Sequence, residues 1–211
     1  DPAMGPVGAE GHIIASTLSR PIDEAPIPGG MEAIATTLKA ASKVALNTTG
    51  GGYMAYVPGG GLFPAAMADL LAGVYNRFTG LAGAAPAFVR FEADVLQWLA
   101  SEFGYGSDAR GVFTSGGSQA NLSALITARH ACFGDSGDFR LATVYTSAQA
   151  HHSVAKSVRL AGIPAAAIRE VAVDDQLRMC PEALSAAIAQ DLQAGRKPLA
   201  VVAAAGTTNT G

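Results

Sequence analysis

The chain has 211 residues, 49% of them hydrophobic and 15% charged, with a formal net charge of -3. That composition supports a large buried core, in one large domain or one and a half, and the acidic balance excludes the basic face that nucleic acid needs. No Lys/Arg run addresses an anionic membrane surface, no apolar stretch is long enough to span a bilayer, and the first five residues lack the basic and apolar regions of a secretory signal. The two cysteines, Cys132 and Cys180, are isolated and have no CxxC spacing. A reduced cytosolic protein with both thiols as packing residues is the simplest inference.

Residues 1–30 are rich in Gly and Pro and have weak periodicity, so an extended arm with at most a short helix is expected. Met31, Ile34, Leu38, Ala41 and Val44 give residues 31–46 a helical period. Residues 49–63 contain Gly50-Gly51-Gly52 and Gly59-Gly60-Gly61 and cannot be regular structure. Tyr53, Tyr56 and Phe63 favour a shaped lining for a site over a flexible linker. Two helices follow: one with Pro64 near its start, running to about Phe78, and one opened by Pro86 with Phe88, Phe91, Val95, Leu99 and Phe103 on one face. Gly104 is a natural C-cap for the second.

From Gly111 strands and helices alternate. Strand 111–114 leads to helix 118–131, strand 141–146 to helix 151–161 closed by Gly162, and strand 168–173 to a helix opened by Pro181. That last helix carries Leu184, Ile188 and Leu192 on one face and ends at Gly195. Strand 198–205 is apolar throughout, as a strand buried on both faces should be. The order βαβαβαβ predicts a mostly parallel α/β sheet with right-handed crossovers. The chain stops at Gly211, just after a strand and a polar turn, where a doubly wound sheet rarely ends. A fragment, or one subunit of a split protein, is therefore expected.

Three loops at strand C-termini carry candidate chemistry: Ser115 to Asn121, Ser147 to Ser153 and Gly206 to Gly211. In a parallel sheet all three lie on one edge and can converge. In the first, Gly116 and Gly117 let a ligand approach the backbone, Ser118 can cap the helix and donate its hydroxyl, and the free N–H groups of the first turn suit an anion. An ordinary strand–turn–helix with a Ser cap fits the same residues. His151 and His152 open a helix, where the local field disfavours the imidazolium and a neutral ring could stack on a cofactor. Surface histidines fit equally well. Adjacent histidines point in different directions and no further ligand sits nearby, which argues against a metal site. No P-loop, no G-x-G-x-x-G opening a helix after a strand, and no G-x-S-x-G elbow is present.

The run from Gly111 to Leu122, followed by Ala128-Arg129, resembles the pyridoxal-phosphate-dependent group II amino-acid decarboxylases. Ser147-x-x-Ala-His-His-Ser-Val-x-Lys156 resembles their second block and Ala205-Gly206-Thr207-Thr208-x-Thr210-Gly211 their third. Ala55-Tyr56-Val57-Pro58-Gly59-Gly60-Gly61 and Pro86-x-x-x-x-x-Glu92 resemble the N-terminal substrate-loop and helix blocks. The likeness covers roughly residues 50 to 211, and five blocks in order are far more specific than any one of them. The resemblance implies the aspartate aminotransferase-like fold (fold type I) of PLP-dependent transferases. It divides the chain into residues 1–62, an arm, helix and substrate loop, and residues 63–211, the first part of the large cofactor-binding α/β domain.

By the same resemblance Gly116, Gly117 and Ser118 would hold the phosphate of pyridoxal 5'-phosphate. His151 would stack over the pyridine ring and act as the catalytic side chain in proton transfer, while His152 matches a variable position and is assigned no role. Tyr56 and Pro58 would line the substrate pocket, close to the partner subunit of a dimer. Two departures stand out. The family often has Thr where this chain has Ala204, and the family's Schiff-base lysine and the Asp that pairs with the pyridine nitrogen lie further downstream. Lys39, Lys43, Lys156 and Lys197 do not stand in the lysine's context. The resemblance thus implies the N-terminal part of a cytoplasmic, dimeric amino-acid decarboxylase whose lysine belongs to a C-terminal half or second chain. Transamination or carbon–carbon lysis on the same fold, and a lysine-less binding or regulatory subunit, are the alternatives; a nucleotide-binding α/β domain is disfavoured by the absent fingerprints.

Overall fold

A computed structural model describes residues 13, 16–18, 30–54, 56, 59 and 61–211. The chain divides into two compact units, Asp1–Tyr75 and Asn76–Gly211. Most of the expected N-terminal arm, and Pro58 of the expected substrate loop, lie outside the described residues.

In the first unit, helix α1 (Gly30–Lys43) carries Glu32 in its first turn and Lys43 in its last, each matched to the helix dipole. The turns after it are tied by Gly50 N–H to the Asn47 carbonyl (3.3 Å) and Tyr53 N–H to the Gly50 carbonyl (2.9 Å). Helix α2 (Phe63–Tyr75) ends three residues before the expected Phe78. Among its thirteen residues only Asp69 is charged, yet none is buried.

The second unit opens with α3 (Pro86–Glu102). Pro86 fits its first turn, where the missing N–H costs nothing. Gly104 at φ 75° closes it, as expected, with its N–H on the Ser101 carbonyl (3.0 Å). Then come α4 (Gly117–Phe133), β1 (Ala142–Ser147), α5 (Ser153–Leu160), β2 (Ile168–Val171), α6 (Pro181–Gln193) and β3 (Lys197–Val201). The three strands form a parallel sheet in the order β2-β1-β3. The parallel α/β expectation therefore holds, with one strand fewer than the four read from the sequence.

The missing strand is 111–114. Its residues form no ladder with any strand, and Val112 and Phe113 are exposed. Strand 198–205 is also corrected: β3 ends at Val201 and lies at the sheet edge, half-exposed rather than buried on both faces. Pro198, opposite Thr143, cannot donate to the ladder, and the register skips Leu199 beside it, as a bulge does. Central β1 alone has the both-faces burial expected of a parallel strand, with Ala142 to Thr146 all buried.

The core gathers Leu125 of α4, Ala142 and Val144 of β1, Val158 of α5, and Ala161, Ile163 and Ala167 of the following turn. Each fully buried Val, Leu or Ile of this kind is worth about 1.5–3 kcal/mol. A polar staple fastens the other side. Asp191 of α6 accepts Nε and the terminal nitrogen of Arg169 on β2 (2.8–3.1 Å) and the hydroxyl of Tyr145 on β1 (2.8 Å). Arg129 of α4 lies over the Phe139 ring (4.5 Å) and donates to the Ala161 carbonyl at the end of α5.

Candidate cofactor site

α4 begins at Gly117, not Ser118. The N–H groups of Gln119 and Ala120 both reach the Gly116 carbonyl (3.0 and 3.1 Å), so Gly116 is the N-cap and Ser118 is the second helical residue. The expected Ser118 cap is corrected accordingly: its hydroxyl makes no hydrogen bond among the described residues and is exposed. The N–H groups of Gly117 and Ser118 open the helix, where no intrahelical carbonyl can reach them. A Cβ built on either Gly116 or Gly117 would meet no atom within 4 Å. The turn therefore presents two glycines, unspent donors and a free hydroxyl to open space, which is what a phosphate needs.

Before the turn, the Thr114 hydroxyl donates to the Gly116 carbonyl (3.1 Å) and Ser115 Oγ donates to Gln119 Oε1 (2.7 Å). Two further bonds cross from α4 to α5. Ser157 Oγ donates to the Ser118 carbonyl (3.3 Å), and Asn121 Nδ2 donates to Ser153 Oγ (3.1 Å). Ser153 and Ser157 are buried. The glycine turn is thus fastened to the start of the helix that follows β1.

His151 sits at that start. Helix α5 opens at Ser153, two residues later than expected, with His152 as N-cap. The reason is local: the His151 ring itself takes up a first-turn donor, Ser153 N–H to Nδ1 (3.2 Å), with Ser153 Oγ also on Nδ1 (2.9 Å). The two histidine rings do not diverge as expected; their centroids are 4.0 Å apart with planes inclined by 40°. Among the described residues no group of three or more His, Cys, Asp or Glu comes together to hold a metal.

Of the expected site residues, the structure brings the Gly116–Ser118 turn and His151 together through these cross-helix bonds. Tyr56 is exposed, with its backbone in the left-handed region (φ 57°), and belongs to the first unit. The third expected loop folds on itself: Thr210 N–H donates to Thr207 Oγ1 (3.1 Å) and Gly211 N–H to the Thr207 carbonyl (2.9 Å). No hydrogen bond joins it to the other two loops. The sequence singled out neither Asn121 nor the Ser153–Ser157 pair as functional. Their spacing, three residues from Ser118 to Asn121 and four from Ser153 to Ser157, puts polar groups on the facing sides of the two helices, and that was the available signal.

A family model described as the pyridoxal-dependent decarboxylase conserved domain matches residues 25–211. The aromatic-L-amino-acid decarboxylase of Bacillus atrophaeus is 38% identical over 159 residues, 75% of this chain and 33% of that protein. The L-2,4-diaminobutyrate decarboxylase of Rhizobium meliloti is 36% identical over 70% of this chain and 30% of that protein. The chain therefore spans about a third of the length of these relatives. Among solved structures, the Oryza sativa TDC with PLP superposes with a TM-score of 0.81 at 26% identity, covering 99% of this chain and 48% of that one. The Catharanthus roseus tryptophan decarboxylase in complex with L-tryptophan reaches 0.85 at 22% identity, over 98% of this chain and 46% of that one, which shows the shared fold. Family match and sequence relatives agree: the chain belongs to the pyridoxal-dependent decarboxylase family.

Proposed function

We propose that this chain is the N-terminal part of a pyridoxal 5'-phosphate-dependent amino-acid decarboxylase. The observation that carries the proposal is the open glycine turn at the α4 N-terminus, hydrogen-bonded to the α5 turn that bears His151. The space over Gly116 and Gly117 and the free donors of Gly117 and Ser118 fit a phosphate. In this reading Gly116, Gly117 and Ser118 hold the cofactor phosphate, with the Ser118 hydroxyl donating to it. His151 lies against the cofactor ring, and Tyr56 and Pro58 line the substrate loop.

When bound, pyridoxal phosphate supplies the electron sink for the pair released as the bond from Cα to the carboxylate breaks. The chain's own residues bind and orient. The helix dipole and first-turn donors fix the phosphate end, and the hydrogen-bonded His151 holds one face of the site. The lysine that carries the cofactor lies outside residues 1–211. Lys156 is on the exposed side of α5, and Lys197 lies over the Phe133 ring (5.2 Å). The working protein is a cytoplasmic dimer acting on an amino-acid substrate.

The test is made on the full-length protein. Pyridoxal phosphate content is measured after dialysis, and carbon dioxide and amine release are followed with aromatic, acidic and diamino acids. Gly117→Val is the informative variant, because no protein atom lies where its side chain begins, so only a ligand there would be displaced. Loss of one or two charge-assisted bonds, about 1.5–3 kcal/mol each, weakens retention by tenfold or more. Unchanged retention in Gly117→Val would remove the phosphate assignment. Release of a keto acid or aldehyde without amine would replace decarboxylation by another reaction of the same fold.

A further inference from the structure

The hydrogen bonds around His151 run in one direction. Ser153 N–H is a backbone donor and can only donate, so Nδ1 of His151, 3.2 Å away, must offer it a lone pair. Asn121 Nδ2 is also a donor, and it points at Ser153 Oγ (3.1 Å). The Ser153 hydroxyl, having accepted there, has its own hydrogen free for Nδ1 at 2.9 Å. Ser153 is buried, with 2% of its surface exposed, so water does not compete for these bonds. His151 itself is exposed, and no hydrogen bond engages its Nε2 among the described residues.

We propose that Asn121 and Ser153 are positioning residues that lock the neutral His151 ring in the Nε2–H tautomer, so that its free nitrogen offers a proton rather than a lone pair. The proposal deepens the cofactor-site reading above and rests on it for its consequence: His151 enters the reaction as a donor. A ring nitrogen's protonation is set by what the other nitrogen touches, and here both partners of Nδ1 are donors. The chain from Asn121 through Ser153 also begins on the helix that carries the phosphate turn. One element thereby sets both the phosphate donors and the tautomer of the ring beside them.

The experiment reads the tautomer directly. The full-length protein is labelled with 15N-histidine, and the His151 signals are assigned by their loss in His151→Gln. The expected wild-type result at neutral pH is an unprotonated, pyridine-like shift at Nδ1 and a protonated, pyrrole-like shift at Nε2. Ser153→Ala, which loses the hydroxyl but keeps the backbone donor on Nδ1, should move both shifts part of the way toward the tautomer average. Ser153→Thr should restore them. Asn121→Asp replaces a donor by an acceptor, turns the Ser153 hydroxyl away from Nδ1, and should move the shifts in the same direction as Ser153→Ala. A protonated Nδ1 in the wild type overturns the proposal, and so do shifts that stay fixed in both Ser153→Ala and Asn121→Asp. Should Ser153→Ala not fold, Asn121→Asp and Ser153→Thr carry the comparison. Pyridoxal phosphate content measured on the same samples reports on the cofactor-site reading separately, since the tautomer is readable whether or not the cofactor is retained.

Discussion

At Asp191 one buried carboxylate joins three elements. It faces Arg169 through both oxygens and accepts the Tyr145 hydroxyl, which in turn lies 3.0 Å from Thr143 Oγ1. The Arg169 hydrogen bonds, with the Tyr145 bond behind them, hold the Asp191 carboxyl below the usual range against the opposing effect of burial. A carboxylate lowered on folding contributes stability above its unfolded pKa, about 3.9, and loses it as pH falls through the folded value. Tyr145 is shifted the other way, chiefly by burial, so its contribution is present below its unfolded pKa and is lost as pH rises through the raised one. Asp191→Asn leaves the Arg169 charge unpaired. With Arg169 about a quarter exposed, the cost belongs at the lower end of the range for a broken buried pair, about 3 kcal/mol. Urea unfolding at neutral pH should show that loss, and repeating it toward pH 3 should show the gap between wild type and variant closing. A gap that stays constant with pH would mean that the carboxylate's charge is not what matters.

At the scale of elements, α4 and α5 are held together by apolar packing and by Arg129, which reaches the Ala161 carbonyl just past the end of α5. Gly162 closes that end in the left-handed backbone region. It stands at φ 78°, and a Cβ there would lie 3.4 Å from an Arg129 nitrogen. Gly162→Ala should cost about 1–2 kcal/mol from the left-handed backbone alone, seen as a lower denaturation midpoint at unchanged slope. The control Gly195→Ala, also left-handed (φ 72°) but with open space around it, should lose only the backbone part, and equal losses in the two would show that crowding at Arg129 is negligible. These closing glycines were legible in the sequence, because a helix that must stop needs a residue free to take positive φ. So were Pro86 and Pro181 at helix starts and the strand at 141–146. What was not legible depended on partners. Residues 111–114 look like a strand, but strand state needs a ladder and their alternation cannot supply one. The start of α5 shifted because the His151 ring, not a Ser or Asp, took the first donor. The glycine turn that opens α4 was legible because its chemistry is local; the Asn121–Ser153 bond spans 32 residues and becomes visible only when two helices meet.

At the scale of the whole molecule, the described residues carry extensive exposed apolar surface. Phe63 is 78% exposed, Phe91 61%, Trp98 59% and Phe103 78%, and Phe78, Phe88, Val112 and Phe113 join them. Scattered apolar residues are ordinary on a surface, but whole faces of α2 and α3 are not. The sheet adds two strands, β2 and β3, each paired on one side only. Covering these eight side chains, each about half-exposed or more, would contribute roughly 6–12 kcal/mol, comparable with the entire stability of a typical domain. Residues 1–211 produced alone should therefore bind a hydrophobic dye strongly and self-associate as concentration rises, whereas the full-length protein should do neither. Trp98 is the only tryptophan among these residues and reports the same surface: its fluorescence in the isolated segment should be readily quenched by acrylamide. A monodisperse monomer with no dye binding and a protected Trp98 would mean that the segment is self-sufficient, and would favour a stand-alone binding subunit over part of a larger enzyme.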